Sequence, residues 1–286
     1  MRNAQPKSSP FRDLLQNLTP TAIICLSILI ALIVLAIAGP WVSPYSSTEI
    51  LTSESYQLRS DSMLLGGDYL GRDMLSRLIY ALQITLGVTF VVTILAFFTG
   101  CLLGFLAAVL GGTVDTVLSR VMDALIALPA IMIALIVISS LGSSLPVLVV
   151  TLALIDSTRV FRVARALAMN IVVSDYVEAA RVRGEGLGWI MGREIMPNVV
   201  GPLAAEFGIR FTYTILFMSA LGFLGLGMQP PHADLGLLIQ ENMQGLLFGS
   251  FAPLYPALLI SLITITINIF IDWYLQQLDS GLPSEF

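Results

Sequence analysis

TAIICLSILIALIVLAIA, residues 21–38, contains no charged side chain and holds 11 Leu, Ile and Val residues between Ile23 and Ile37. As an α-helix rising about 1.5 Å per residue, the run reaches about 27 Å, close to the roughly 30 Å hydrocarbon core of a bilayer. Its aliphatic residues favour insertion by very roughly 3 to 7 kcal/mol. No charge occurs between Asp13 and Glu49. A cleaved signal peptide is the competing reading, with Arg2, Lys7 and Arg12 as its basic end and Ala36-Ile37-Ala38 as a cleavage site. The run is longer than the about 7 to 15 apolar residues usual in a signal, so it reads as a retained helix.

Working outward, the same pattern recurs. Leu78 to Val114 is free of charge and ends at Gly111-Gly112. Ala124 to Ile155 is also charge-free, and its Leu141-Gly-Ser-Ser-Leu-Pro146 break reads as a turn between two helices. A fifth span covers Pro202 to Met228 and stops at Gln229-Pro230-Pro231; a sixth covers Pro253 to Tyr274. Six spans put both termini on one side. Arg2, Lys7, Arg12, Arg120, Arg162, Arg165, Arg181, Arg183 and Arg193 collect on that side, so the termini are expected in the cytoplasm. The expected organisation is a cytoplasmic segment at 1–20 and a transmembrane helix at 21–41. A periplasmic segment with an amphipathic lead-in follows at 42–80, then a core with five further helices at 81–276 and a cytoplasmic tail at 277–286.

Composition agrees. Of 286 residues 56% are hydrophobic and 12% charged, against about 25% charged in a soluble domain. Mean hydropathy is +0.88. A disordered chain and a disulfide scaffold are excluded, and a soluble enzyme is disfavoured. With 14 Lys+Arg against 19 Asp+Glu the net charge is −5, so nucleic acid is not an expected partner. Lys7 is the only lysine, which leaves no phosphate-binding loop of the Walker A kind; ATP-driven work would need another chain to bind the nucleotide. His232 is the single histidine, and Cys25 and Cys101 sit in apolar runs without a CxxC pattern. No metal site, cofactor or catalytic constellation is expected from so thin an inventory.

The longest polar stretch within the apolar part is Asn170 to Pro197. Asp175 is a candidate N-cap for a helix over Tyr176 to Val182, and Gly184 and Gly186 permit a sharp turn. Leu187, Ile190, Met191 and Ile195 then fall at helical spacing. The physics allows two readings: a loop lying on lipid headgroups, or a docking site for a partner.

Here a resemblance enters. Glu178-Ala179-Ala180, three residues, Gly184, and then Ile195-Met196-Pro197-Asn198 resemble the EAA loop of ABC-transporter permeases. Tyr69-Leu-Gly-Arg-Asp-Met-Leu-Ser-Arg-Leu-Ile-Tyr80, Asp123-Ala-Leu-Ile-Ala-Leu-Pro129 and Gly225-Leu-Gly-Met-Gln-Pro-Pro231 are similar to runs of the peptide-permease subfamily, in particular its C-type subunit. The chain departs from that pattern at Glu194, Met196 and Gly222. It departs again at Asp234-Leu235, where a Ser-Trp pair is usual, and at Asp156-Ser-Thr-Arg159, where Ser-Trp-Pro-Gly is usual.

The resemblance implies an all-α membrane protein of type I ABC importer permease architecture in a bacterial inner membrane. It implies a peptide substrate, a second homologous permease subunit, two ATP-binding subunits and a periplasmic or lipid-anchored binding protein. Glu178, Ala179, Ala180, Gly184, Ile195 and Pro197 would couple to the ATPase, with Pro197 ending the second short helix. Nickel, glutathione or an opine are alternative substrates of the same permease type. Asp156 and Arg159, three apart, can pair on one helix face. They read either as a polar lining that meets a peptide's backbone or termini, or as a salt bridge near the cytoplasmic edge. Gly100-Cys-Leu-Leu-Gly104 matches the small-xxx-small pattern of close helix packing. An ion-coupled secondary transporter is the reading from another class, and Asp156 is its one strong candidate residue.

Overall fold

A computed structural model describes residues 18–280. The basic residues Arg2, Lys7 and Arg12 lie outside them, as do the last six residues of the expected tail. The described residues form helices and two isolated β-bridges, with no named strand. α1 spans Pro20–Val42 and is N-capped by Thr19, whose hydroxyl accepts from the Ala22 N–H. α2, Met74–Leu110, is 37 residues long and N-capped by Asp73. α3 (Gly112–Ala127) and α4 (Ala130–Leu141) follow, then α5 (Leu145–Val172), α6 (Asp175–Val182) and α7 (Leu187–Trp189). A π-helical turn, Ile190–Ile195, leads into α8, Met196–Phe223. α9 (Leu235–Asn242) and α10 (Leu254–Ser280) are the last α-helices among the described residues.

α1, α2 and the Leu254–Leu278 part of α10 are long and apolar enough to cross a membrane, and α3 with α4 adds a fourth if the bent pair is one span. α5 and α8 have the length, 28 residues each, but carry charges near their middles.

Five local expectations are corrected. The third apolar stretch is not one straight helix: α3 and α4 are bent by 85° at Leu128-Pro129. Proline drives the preceding residue out of the helical region, and Leu128 is extended at ψ 139°. Ser174, not Asp175, is the N-cap of α6, and Asp175 opens its first turn. Gly186 is extended at φ −75°, leaving the turn to Gly184. Pro197 ends no helix. It lies in the first turn of α8, where its missing N–H costs little, and Pro202 lies inside α8 rather than at its start.

The core is built where α2 meets α5, the most extensive helix pair in the fold. Gly100 and Gly104 make that approach, as their spacing suggests: a Cβ at Gly104 would lie 2.8 Å from the Phe161 carbonyl oxygen. α1 and α10 pack on the other side through Leu32, Ala36, Ile260, Ile263 and Ile267.

At the α8–α9 junction two departures from the resembled pattern explain each other. The Asp234 carboxylate caps α9 by accepting from the Leu237 N–H (2.9 Å) and also accepts from the Met228 N–H (2.9 Å). Burial pushes this carboxyl above its usual range, with the backbone N–H groups pulling the other way. A Cβ at Gly222 would lie 2.3 Å from Asp234 Oδ1, so residue 222 must lack a side chain while 234 is Asp. Gly222→Ser is therefore expected to destabilise the protein by about 1–3 kcal/mol through overpacking. Asp234→Ser in addition should recover part of that loss. Thermal unfolding of the two single variants and the double variant measures the coupling, and strict additivity would refute it.

Candidate functional site

Two places concentrate polar chemistry. The first is the segment from α6 to the start of α8. α6 ends in a Schellman motif: the Glu185 N–H donates to the Ala180 carbonyl (3.1 Å) and the Gly184 N–H to the Arg181 carbonyl (2.9 Å). Gly184 supplies the left-handed φ of +81° that this closure requires. Arg183 reaches Glu185 at 3.7 Å and Glu194 at 4.0 Å, clasping the turn. Arg193 stacks over the Trp189 ring at 4.1 Å.

Burial divides the EAA residues into two sets. Glu178, Ala179, Gly184 and Pro197 are exposed. Ala180 and Ile195 are wholly buried, as is Val177. Val177, Ile190 and Ile195 join Ala164 and Ala168 of α5 and Val199 of α8 in one apolar cluster. The stripe seen in the sequence thus faces inward at Ile190 and Ile195, while Leu187 is exposed. The Arg181 guanidinium donates to the Val109 carbonyl at the end of α2 (3.3 Å). A short helix with one open face is so fastened to three long helices.

The second place lies at mid-length of α5 and α8. Asp156 is 3% exposed and accepts from the Thr214 hydroxyl of α8 at 2.7 Å. Arg159 approaches Asp156 at 3.9 Å, and its side chain is 45% exposed. Glu206 and Arg210 of α8 approach to 2.8 Å, both largely buried. Arg210 lies over the Tyr213 ring at 4.8 Å. The Thr214 hydroxyl ties Asp156 to α8, one turn beyond Arg210, so the Asp156–Arg159 pair belongs to a polar group that spans two helices. Sequence reasoning passed over Glu206 and Arg210. Their signal was present as two opposite charges four apart inside a span otherwise apolar from Pro202 to Met228. Farther along α5, Arg162 donates to Asp123 at 2.6 Å and Arg165 pairs with Asp115, holding α3 against α5.

Beside Arg159 a cavity of about 340 Å³ opens between α2, α3, α4 and α5, lined by Thr99, Met122, Ile133, Thr151, Ile155 and Thr158. Among the described residues no group of three or more His, Cys, Asp or Glu side chains is arranged to hold a metal ion.

Comparison with known proteins shows the family of the chain. Residues 100–282 match the family described as binding-protein-dependent transport system inner membrane component. Residues 9–58 match the N-terminal TM domain of oligopeptide transport permease C. The dipeptide transport system permease protein DppC of Haemophilus influenzae is 30% identical over 91% of this chain and 90% of its own length. DppC of Escherichia coli is 34% identical, covering 91% and 89% respectively. A solved structure titled as an amino acid ABC transporter with histidines superposes with a TM-score of 0.54 at 19% identity. It covers 71% of this chain and 94% of that one, a likeness of fold alone.

Proposed function

Because this chain belongs to the family of binding-protein-dependent transport system inner membrane components, and is thus a membrane-embedded permease component of an importer, we propose that it imports peptides and takes its energy from a separate ATPase docked on α6. The relatives named for dipeptide transport support the substrate class. The assembly we propose contains a second homologous permease, two ATP-binding subunits and an external binding protein. In it α1, α2, the α3–α4 pair, α5, α8 and α10 make six crossings with both termini in the cytoplasm. The arginine distribution supports that sidedness. α4 alone, 12 residues and about 18 Å long, is too short for a crossing, so α3 must contribute to the third.

The observation that carries the coupling proposal is the division of the EAA segment into open and buried faces. Glu178 and Ala179 offer a carboxylate and a small side chain to a partner's groove. Val177 and Ile195 tie the same segment into α5 and α8. Movement of the docked ATPase is then passed to the two helices that carry the intramembrane charges, shifting the permease between inward and outward access. Ala180 and Ile195 serve this lever from inside by seating it, Pro197 opens α8 from an exposed position, and Glu178, Ala179 and Gly184 form the contact. Asp156 and Arg159 line the path.

The test is co-purification with the ATPase and ATP-driven uptake in liposomes. Gly184→Asp places a side chain at φ +81°, and Glu178→Ala removes the exposed carboxylate. Both should leave the chain in the membrane, reduce ATPase association and lower uptake by about tenfold or more. Full association and uptake in both variants would sink the coupling role.

A further inference from the structure

Four charged side chains lie near the middle of two packed 28-residue helices: Asp156 and Arg159 on α5, Glu206 and Arg210 on α8. At that depth a lipid environment is costly for each of them, so such groups face one another, a partner chain or a water-filled path. The group is balanced, two acids against two bases. The Thr214 hydroxyl joins the two helices, donating to the Asp156 carboxylate at 2.7 Å and lying 2.9 Å from the Arg210 carbonyl.

The balance is loosely made. Arg159 stands 3.9 Å from Asp156, beyond a direct hydrogen bond, with its side chain 45% exposed. Glu206 Oε1 and Arg210 Nε are 2.8 Å apart, yet the two atoms form no directed hydrogen bond to each other or to another group. Asp156 alone is well held, by Thr214 at 2.7 Å. A purely structural ion network in low dielectric needs close, fully directed contacts to offset the desolvation of its members. This group lacks them at Arg159 and at Glu206, while Asp156 keeps its hydrogen bond from Thr214 if Arg159 turns elsewhere.

We propose that Arg159 and Glu206 exchange their internal partners for the two ends of a zwitterionic solute, Arg159 taking its carboxylate and Glu206 its ammonium group, at a transit site between α5 and α8. The site rests on the reading of this chain as a peptide importer and names how the peptide is recognised within the membrane. An entering solute of net charge would leave one charge uncompensated at mid-depth, whereas a zwitterion preserves neutrality at every stage. In its absence the four groups neutralise one another, which keeps the empty path free of an unpaired ion. Tyr213, half exposed and stacked with Arg210, forms an aromatic wall beside the ammonium position.

The test uses the purified assembly of this chain with its partner permease and ATPases, without the binding protein. Binding of labelled alanyl-alanine is measured in competition with alanyl-alanine amide and N-acetyl-alanyl-alanine. The wild-type assembly should prefer the free dipeptide to each blocked form by about tenfold or more, an ordinary loss for one charge-assisted contact. Arg159→Gln should erase the discrimination against the amide, Glu206→Gln that against the acetyl form, and Arg159→Lys should largely restore the first. Equal binding of all three peptides by the wild type, or variants that weaken all three alike, would overturn the site. Uptake by the complete importer with its binding protein separates the two levels. Uptake of alanyl-alanine with equal binding of all three peptides refutes the transit site alone, and no uptake of alanyl-alanine or other peptides refutes the peptide reading with it.

Discussion

Arg77→Ala is expected to destabilise the protein by about 3–5 kcal/mol, the usual consequence of removing one partner from a buried ion pair. Arg77 lies at the start of α2 with its side chain 3% exposed, and its guanidinium donates to Asp68 at 2.7 Å and to Glu241 at 2.8 Å. Arg72 donates to the same Asp68 oxygen at 2.7 Å and stands 3.8 Å from Glu241. Asp68 is wholly buried and also accepts from the Leu70 N–H and the Arg72 N–H. Two acids and two bases thus close a neutral joint between the segment before α2 and helix α9. The Tyr69 N–H, donating to Asn242 at 3.1 Å, pins the same two pieces.

Without Arg77, Asp68 and Glu241 share one guanidinium inside the fold, and the penalty is that of an uncompensated buried charge rather than of one lost contact. Arg77→Met combined with Asp68→Asn should therefore be milder than Arg77→Ala alone, since it removes charge of both signs together. Unfolding midpoints of the detergent-solubilised protein measure the series. An Arg77→Ala midpoint equal to wild type would show that the joint carries no stability.

That joint also marks the limit of what the sequence could disclose. The run from Tyr69 to Tyr80 was legible as a motif. Nothing in the spacing could pair Arg77 with Glu241, 164 positions away, because the pairing depends on where α9 folds back. The long helices were legible for the opposite reason. Their signal is local: apolar runs of membrane length bounded by Gly111, by the Gly142–Ser144 break and by the Pro230-Pro231 stop. The bend at Pro129 was hidden because Ala124–Leu141 is apolar throughout, and hydropathy does not register direction. α3 was hidden because its polar residues, Asp115, Arg120 and Asp123, gave it the look of a connecting loop. In the EAA segment Gly184 was legible, since a helix end before a glycine has few solutions. The inward face of Ile190 and Ile195 was not, since an amphipathic stripe does not say which surface will cover it. The EAA resemblance named a set of residues, and burial then divided the set.

Gly104→Val is expected to be the second severe change, costing about 1–3 kcal/mol by ordinary overpacking and more where the obstacle is backbone. A Cβ at Gly104 would lie 2.8 Å from the Phe161 carbonyl oxygen and 2.9 Å from the Arg165 nitrogen, both main-chain atoms of α5. At Gly100, one turn earlier, the Cβ would meet Val160 Cβ at 2.6 Å and the Ser157 carbonyl oxygen at 2.8 Å. No rotamer change relieves contacts of this kind, so the two helices must separate. Within a membrane their association depends on close van der Waals packing, with little hydrophobic drive to offset a gap. Even Gly104→Ala should be felt, and Gly100→Ala/Gly104→Ala should exceed either single change. α5 carries Asp156 and Arg159 on the same rigid helix, so displacing it from α2 also disturbs the Asp156–Thr214 contact with α8. Uptake should therefore fall in step with stability along the series Ala, Ser, Val at position 104. Thermal unfolding of the purified variants beside uptake in liposomes decides the matter: a Val variant with a wild-type midpoint would mean that α2 and α5 do not meet backbone to backbone here, and a stable variant that has lost uptake would separate the role of the helix contact in transport from its role in folding.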